Sequence, residues 1–217
     1  MTIRHHPGPE SLMSCSAGSM PEAFAAVMAS HIDVCPHCRK ELALMEDIGV
    51  SLFKDMSPSP MTRDVSSMVL RRAEADAGCD GVRSKAVSAG DVPAPLRSLA
   101  GDYLDDIAWK RLAPGLMHYQ FPLSRTAVGD LRLVKVAPGR ALPEHSHGGS
   151  ELTLVLRGSY SDKTGRYGVG DVADLDENTE HQPVADPVEG CICLIASDHK
   201  IRFKSFLARI VQPFTGM

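Results

Sequence analysis

The residues of this sequence that can do chemistry fall into two groups. The first is His31-Ile32-Asp33-Val34-Cys35-Pro36-His37-Cys38, where an imidazole and two thiols stand at i, i+4 and i+7. On a helix these positions share a face, and Pro36 is expected to turn the chain between two helices there. Zinc takes four tetrahedral N or S ligands in a closed structural site, so a fourth ligand is required. The His5-His6 pair precedes the first expected helix and can fold back over the junction; His37, between two ligands, should be aimed away. Two alternatives stand beside zinc. One is a pair of buried free cysteines with a surface histidine. The other is a redox CxxC, which follows a strand at a helix start, and no strand is expected before this one.

The second group is Gly139-Arg140-Ala141-Leu142-Pro143-Glu144-His145-Ser146-His147-Gly148-Gly149-Ser150-Glu151, followed by an apolar run to Gly158, with His181 further on. Histidines at i and i+2 point to one face of a strand. Glu151 opens the next strand and can face them, and His181 comes from a later hairpin. Three imidazoles and a carboxylate suit Zn, Mn, Fe or Ni; the plain alternative is a pair of solvent histidines beside a turn. Cys191 and Cys193 flank Ile192 on a strand and face one side. They read as buried thiols, with a pair poised for oxidation as the alternative. Cys15 and Cys79 have no partner in sequence, and Trp109, His118 and His199 read as core or surface residues.

These groups need particular elements to hold them. Ser19 is placed to cap a helix opening at Met20-Pro21-Glu22, which puts Phe24, Val27, Met28 and His31 on one face. A second helix begins at Cys35-Pro36, carries Leu42, Met45, Ile48, Leu52 and Phe53 as an apolar stripe, and is broken by Ser57-Pro58-Ser59-Pro60. A third, over 61–77, places Val65, Met68, Val69 and Arg72 at helical spacing. The stretch 78–95 is rich in Gly and Pro and reads as a connection. Beyond it the pattern changes to short β-type runs, Leu131 to Val136, Leu152 to Leu156 and Cys191 to Ala196, between Gly, Pro and Asp turns. The expected architecture is α + all-β in two domains: helical over 1–85, linker over 86–95, and a β-barrel or sandwich over 96–217.

Composition narrows the function. The 217 residues are 43% hydrophobic and 23% charged with net charge −4, and neither half has the basic excess of a nucleic-acid binder. The longest wholly apolar run, Ala23 to Ala29, is far short of a membrane span, and Met1 to Pro7 leads into no secretory core. A cytoplasmic location is expected, in which six cysteines are thiols or metal ligands before they are disulfides.

The spacing G-x5-H-x-H-x3-E-x6-G from Gly139 to Gly158 resembles the first motif of the cupin family, a double-sheet jelly roll. The family's second motif aligns on Gly170 and His181 but departs at Asp176, Asn178 and Ala185; Asn178 is expected to hold the left-handed turn there. With the H-x3-C-x2-C segment, the chain resembles ChrR-type zinc-binding anti-sigma factors over nearly its whole length. Further stretches alike are Glu151 to Leu156, Cys191 to Leu194, Phe203 to Leu207 and Val211 to Phe214.

The resemblance implies zinc on His6, His31, Cys35 and Cys38, and a second divalent metal, zinc before Mn, Fe or Ni, on His145, His147, Glu151 and His181. It also implies a non-enzymatic regulator of transcription. Its helices would sequester an ECF-type sigma factor of RNA polymerase, and its cupin would release it in an oxidative stress response to singlet oxygen or organic hydroperoxide. The chain itself would contact neither nucleic acid nor membrane. The alternatives are a small metal-dependent cupin dioxygenase and a ligand-binding cupin.

Overall fold

A computed structural model of the chain describes residues 2–60, 65–77, 90–199 and 202–203. Its helical half contains α1 (Pro9–Ser16), α2 (Glu22–Val34), α3 (Pro36–Lys54) and α4 (Val65–Ala77). α1 is too short to announce itself by periodicity, and buries only Leu12. α2 starts at Glu22, after Pro21, without a side-chain cap. Ser19, expected as that cap, turns its hydroxyl to the Ser14 carbonyl instead, at 3.2 Å. Pro21 makes the cap dispensable, because its ring presets the entering φ, and Glu22 meets the positive end of the helix. Cys35 is left extended between α2 and α3, Pro36 opens α3, and the Cys35 sulfur accepts from the Cys38 amide. Among the described residues no helix is long and apolar enough to cross a membrane.

The stretch expected as a linker is folded in its described part. Val92 is buried, and the short turn Ala94–Leu96 contacts α2 before α5 (Arg97–Ala100). The strands follow: β1 (Lys110–Ala113), β2 (Leu116–Gln120), β3 (Asp130–Val136), β4 (His145–Ser146), β5 (Glu151–Asp162), β6 (Gly165–Gly168), β7 (Val172–Leu175), β8 (Glu180–His181), β9 (Val184–Ala185), β10 (Cys191–Ser197) and β11 (Arg202–Phe203). The larger sheet runs β1-β2-β3-β10-β5-β6, with β7 and β9 also on β5; the smaller runs β11-β4-β8. All the pairings are antiparallel. The helices-then-barrel arrangement expected from the sequence is therefore present.

The long strand β5 changes partners along its length, pairing β10 and β7 first and β6 and β9 after Gly158. Gly158 has φ +69°, and a Cβ there would lie 2.1 Å from the Gly190 carbonyl oxygen, so only glycine fits this corner.

The central strands are apolar on both faces. Inward, Val134, Val136, Val155, Cys191 and Cys193 line or border the barrel interior. Outward, Leu131, Leu133, Leu152, Leu154, Ile192 and Leu194 join one buried cluster with Phe24, Val27 and Met28 of α2. The two halves thus share a core rather than touching through a connection. Leu194 has no exposed surface, and Leu194→Ala should cost about 2–5 kcal/mol. Calorimetry should show helices and sheet melting in one transition that this variant moves as a whole; a helical transition left in place would contradict the shared core.

Candidate metal centres

The first cluster forms where α2 meets α3. His31 is on the last turn of α2, Cys35 in the junction, Cys38 in the first turn of α3, and His6 on the extended N-terminal segment. Their ligand atoms all lie within 4.8 Å of one another. Nδ1 of His6 is 3.4 Å from the Cys35 sulfur and 3.3 Å from that of Cys38, and Nε2 of His31 is 3.3 Å from Cys38. A tetrahedral zinc with its usual bond lengths sets N and S ligand atoms roughly 3.5 Å apart, so this set fits zinc. His31 donates from Nδ1 to the Gly170 carbonyl at 2.9 Å, which turns the Nε2 lone pair to the cluster. His37 packs its ring 4.7 Å from that of His6 and stays outside the four. Of the His5-His6 pair, the geometry selects His6: His5 is turned to Asp171, 3.3 Å from its carboxylate.

Burial sets the protonation here. It lowers His31 to about 4, which keeps the imidazole neutral at ordinary pH. It pushes the Cys38 thiol up to about 12, reinforced by the neighbouring Cys35. A dication is what makes a buried thiolate affordable at this site.

The second cluster lies between the two sheets. The smaller sheet pairs His145 directly with His181 and leaves His147 on the same side. Nε2 of His181 is 3.0 Å from Nε2 of His145 and 3.1 Å from Nε2 of His147. The opposite ring edge of each histidine faces a separate partner. His145 donates from Nδ1 to the Pro143 carbonyl at 2.8 Å, and His181 from Nδ1 to Asp162 at 2.8 Å. Nδ1 of His147 lies 3.1 Å from Glu151. The held Nδ1 edges of His145 and His181 turn their Nε2 lone pairs inward, and the Nε2 of His147 meets them there, as a divalent metal requires.

Glu151, expected as a fourth ligand, faces the Nδ1 edge of His147 and accepts from the Thr153 hydroxyl at 2.9 Å. The convergent set is His145, His147 and His181. Glu151 stands beside these three, in the lining of the same cavity as His145 and His181. Burial raises the Glu151 carboxyl, but the three histidines outweigh it and hold it at about 2, while burial lowers His145 to about 4. His147 is raised against the effect of burial by its contact with Glu151.

A cavity of about 390 Å³ opens beside this triad, lined by Val134, Leu142, Ile195 and the Cys191–Cys193 pair, with Tyr160 at its wall. The two sulfurs are 3.1 Å apart, and that contact together with burial pushes Cys193 up, so Cys193 is held as a thiol. The turn before His181 differs from expectation. No non-glycine among the described residues has positive φ, so Asn178 is not left-handed. Asp176 makes the turn by accepting from the Asn178 amide and the Thr179 hydroxyl.

Cys15 is partly buried against the shared core, Trp109 donates from Nε1 to the Leu104 carbonyl, His118 is half-buried, and His199 is exposed at the cavity rim. Cys79, and all but the first residue of the stretches from Phe203 to Phe214, lie outside the described residues. Asp162, Thr153 and Asp171 are the supporting residues that sequence reasoning missed, since a lone Asp or Thr carries no spacing signal; Gly170 stands in the second cupin motif, but its carbonyl's role toward His31 does not show there.

The Cys38 proton must leave when zinc binds, so affinity should rise with pH, by about tenfold per unit for each proton displaced. Calorimetry of zinc binding between pH 6 and 8, in buffers of different ionisation heat, should show proton release. A pH-independent affinity would mean that the thiol is not a ligand.

Residues 102–200 match a family model described as the ChrR cupin-like domain. A curated relative, the anti-sigma-E factor ChrR of Cereibacter sphaeroides, is 37% identical over 214 residues, 99% of each chain. A crystal structure of Rhodobacter sphaeroides SigE in complex with the anti-sigma ChrR matches with a TM-score of 0.78 and 34% identity, covering 91% of this chain and 100% of that one. With that identity sustained from end to end, through the helices as well as the barrel, the chain belongs to the ChrR family of anti-sigma factors.

Proposed function

We propose that this protein is an anti-sigma factor: its zinc-tied helices sequester an ECF-type sigma factor, and its barrel governs release on an oxidative signal. The observation that carries the first part is the exposed apolar face of the distal half of α3. Ile48, Leu52 and Phe53 are 63%, 69% and 72% exposed, and Met68, Val69 and Leu70 of α4 are more than half exposed. So many large apolar side chains on two helices mark a surface that a partner covers. A metal-dependent dioxygenase would use the barrel and leave this face without a task.

The ligand sets support the division of labour. His6, His31, Cys35 and Cys38 are proposed as a closed structural zinc site that holds the α2–α3 junction, and so the direction in which α3 projects. His145, His147, Glu151 and His181 are proposed to hold a second divalent metal, zinc before Mn, Fe or Ni. Such a set would leave room on the metal for an exogenous ligand. A metal bound there would supply a Lewis-acidic centre accessible to a small oxidant. The residues themselves bring three imidazoles together, and the apolar walls limit water. Singlet oxygen and organic hydroperoxides are the proposed signals.

The helical surface is tested by co-purification and a reconstituted transcription assay with a sigma factor of the SigE kind. Leu52→Asp/Phe53→Asp should weaken binding by about a hundredfold or more, as expected of two central apolar anchors, with zinc content unchanged. Full binding by this variant would remove the proposed surface. In a sigma-dependent reporter, His145→Ala/His147→Ala should repress normally yet fail to respond to singlet oxygen; a normal response would remove the barrel metal from the signal.

A further inference from the structure

The two metal centres are not independently supported. The hairpin of β5 and β6, with the turn that follows it, touches both. On the barrel side, Asp162 at the end of β5 accepts from Nδ1 of His181 through Oδ2. Its other oxygen accepts from the amides of Thr164 and Gly165 and from the Thr164 hydroxyl. Thr164 continues to the Tyr167 hydroxyl at 3.0 Å, and the Tyr167 ring lies 4.4 Å from that of His5, the neighbour of the ligand His6.

On the helical side the same stretch grips the backbone around both histidine ligands. Asp171 is buried, and its Oδ1 accepts from the amides of Arg4 and His5, at 2.6 and 3.0 Å. Its Oδ2 accepts from the Gly168 amide, which fastens the carboxylate to the end of β6. The Val172 amide donates to the His5 carbonyl at 3.1 Å, so residues 4–6 lie along this turn as an extended segment. The Gly170 carbonyl accepts from Nδ1 of His31. One five-residue turn therefore sets the position of His6 through its preceding backbone, and the ring of His31 directly.

We propose that the barrel metal and the helical zinc are energetically coupled through this hairpin and turn, with Asp171 as the positioning residue. The inference rests on the proposed ligand sets but not on sigma binding. A metal on His181 stiffens the ring whose Nδ1–H is held by Asp162, and through it the hairpin tip. A hairpin held in one position presents Gly170 and Asp171 to His31 and to the His6 segment in one geometry, so less ordering is left for zinc to impose. Linkage then requires that each metal raise the affinity for the other.

The test uses the full chain and Co2+, whose thiolate charge-transfer absorption reports the Cys35–Cys38 centre and not an all-imidazole one. Affinity is measured by competition with a chelator, with no sigma factor present. In His145→Ala/His147→Ala, which leaves Asp162, His181 and the turn intact, the thiolate centre should bind Co2+ at least about fivefold more weakly. Asp171→Ala should weaken it similarly, and Asp171→Asn, which keeps an oxygen acceptor of the same shape, should recover most of the loss. Because both changes act through one element, the triple variant should lose little more than the larger single effect. Unchanged thiolate-centre affinity in the barrel variant would overturn the coupling, as would effects that simply multiply. Recovery absent in Asp171→Asn would overturn the role of Asp171. Failure of the metal assignment itself would be distinct, since no thiolate band would form in the unmodified chain.

Discussion

The larger sheet has two apolar faces to bury, and most of the molecule follows from that constraint. Strands β3, β5 and β10 alternate as any strand does, but here both alternating sets are apolar. The inward set closes a barrel around a cavity. The outward set would face water unless something covered it, and α2 with the 90–100 segment does so. Burial at about 25 cal/mol per Å² makes that cover a large share of the stability of both halves. Placing α2 against the sheet then brings its last turn to the turn between β6 and β7. His31 meets the Gly170 carbonyl there because the core has already set the distance.

The two centres answer the same electrostatic problem by different means. Both gather groups that a cation would hold together: imidazoles in the barrel, imidazoles and thiols at the helix junction. In the barrel two of the three Nδ1 atoms are held, by Pro143 and Asp162, and Glu151 stands beside the third, so the triad is largely organised by the protein. At the junction only His31 is held so directly, while His6 rides on an extended segment fixed through its neighbours. The junction therefore draws more of its order from the metal, as closed structural zinc sites do.

Much of this is readable in the residues alone. H-x3-C-x2-C with Pro36 inside it locates the helix junction, because proline and the ligand spacing demand the same break. H-x-H followed by Glu151 and the distant His181 locates the barrel cluster. What the spacing cannot show is which ring edge a carboxylate meets: Glu151 lies against Nδ1 of His147. Nor can it show that Leu152, Leu154 and Leu194 need an external cover. A continuous apolar run looks the same whether its second face meets a helix or another sheet. Asp171 escapes for a related reason: its partners are backbone amides nearly the whole chain away, and no local pattern records a bond to a main chain.

Release of a tightly held partner sets an energetic requirement that not every part of this structure can meet. Moving a two-state equilibrium from 1:99 to 99:1 takes about 5.5 kcal/mol of differential free energy. A single hydrogen bond contributes about 1 kcal/mol net, and a modest shift on the sheet face contributes little more. Structural zinc contributes on the order of 10 kcal/mol to the order of a small domain. An event in the barrel that merely perturbs packing thus falls short, whereas one that loosens a zinc ligand is amplified by the whole free energy of that centre. Of the four proposed zinc ligands, His6 is the one through which that amplification would run most directly. It is the most exposed of the four, it comes from no regular element, and its backbone is held by the turn that abuts the barrel hairpin. For α3 to lose its projection, the junction need not unfold: the N-terminal segment has only to leave Asp171.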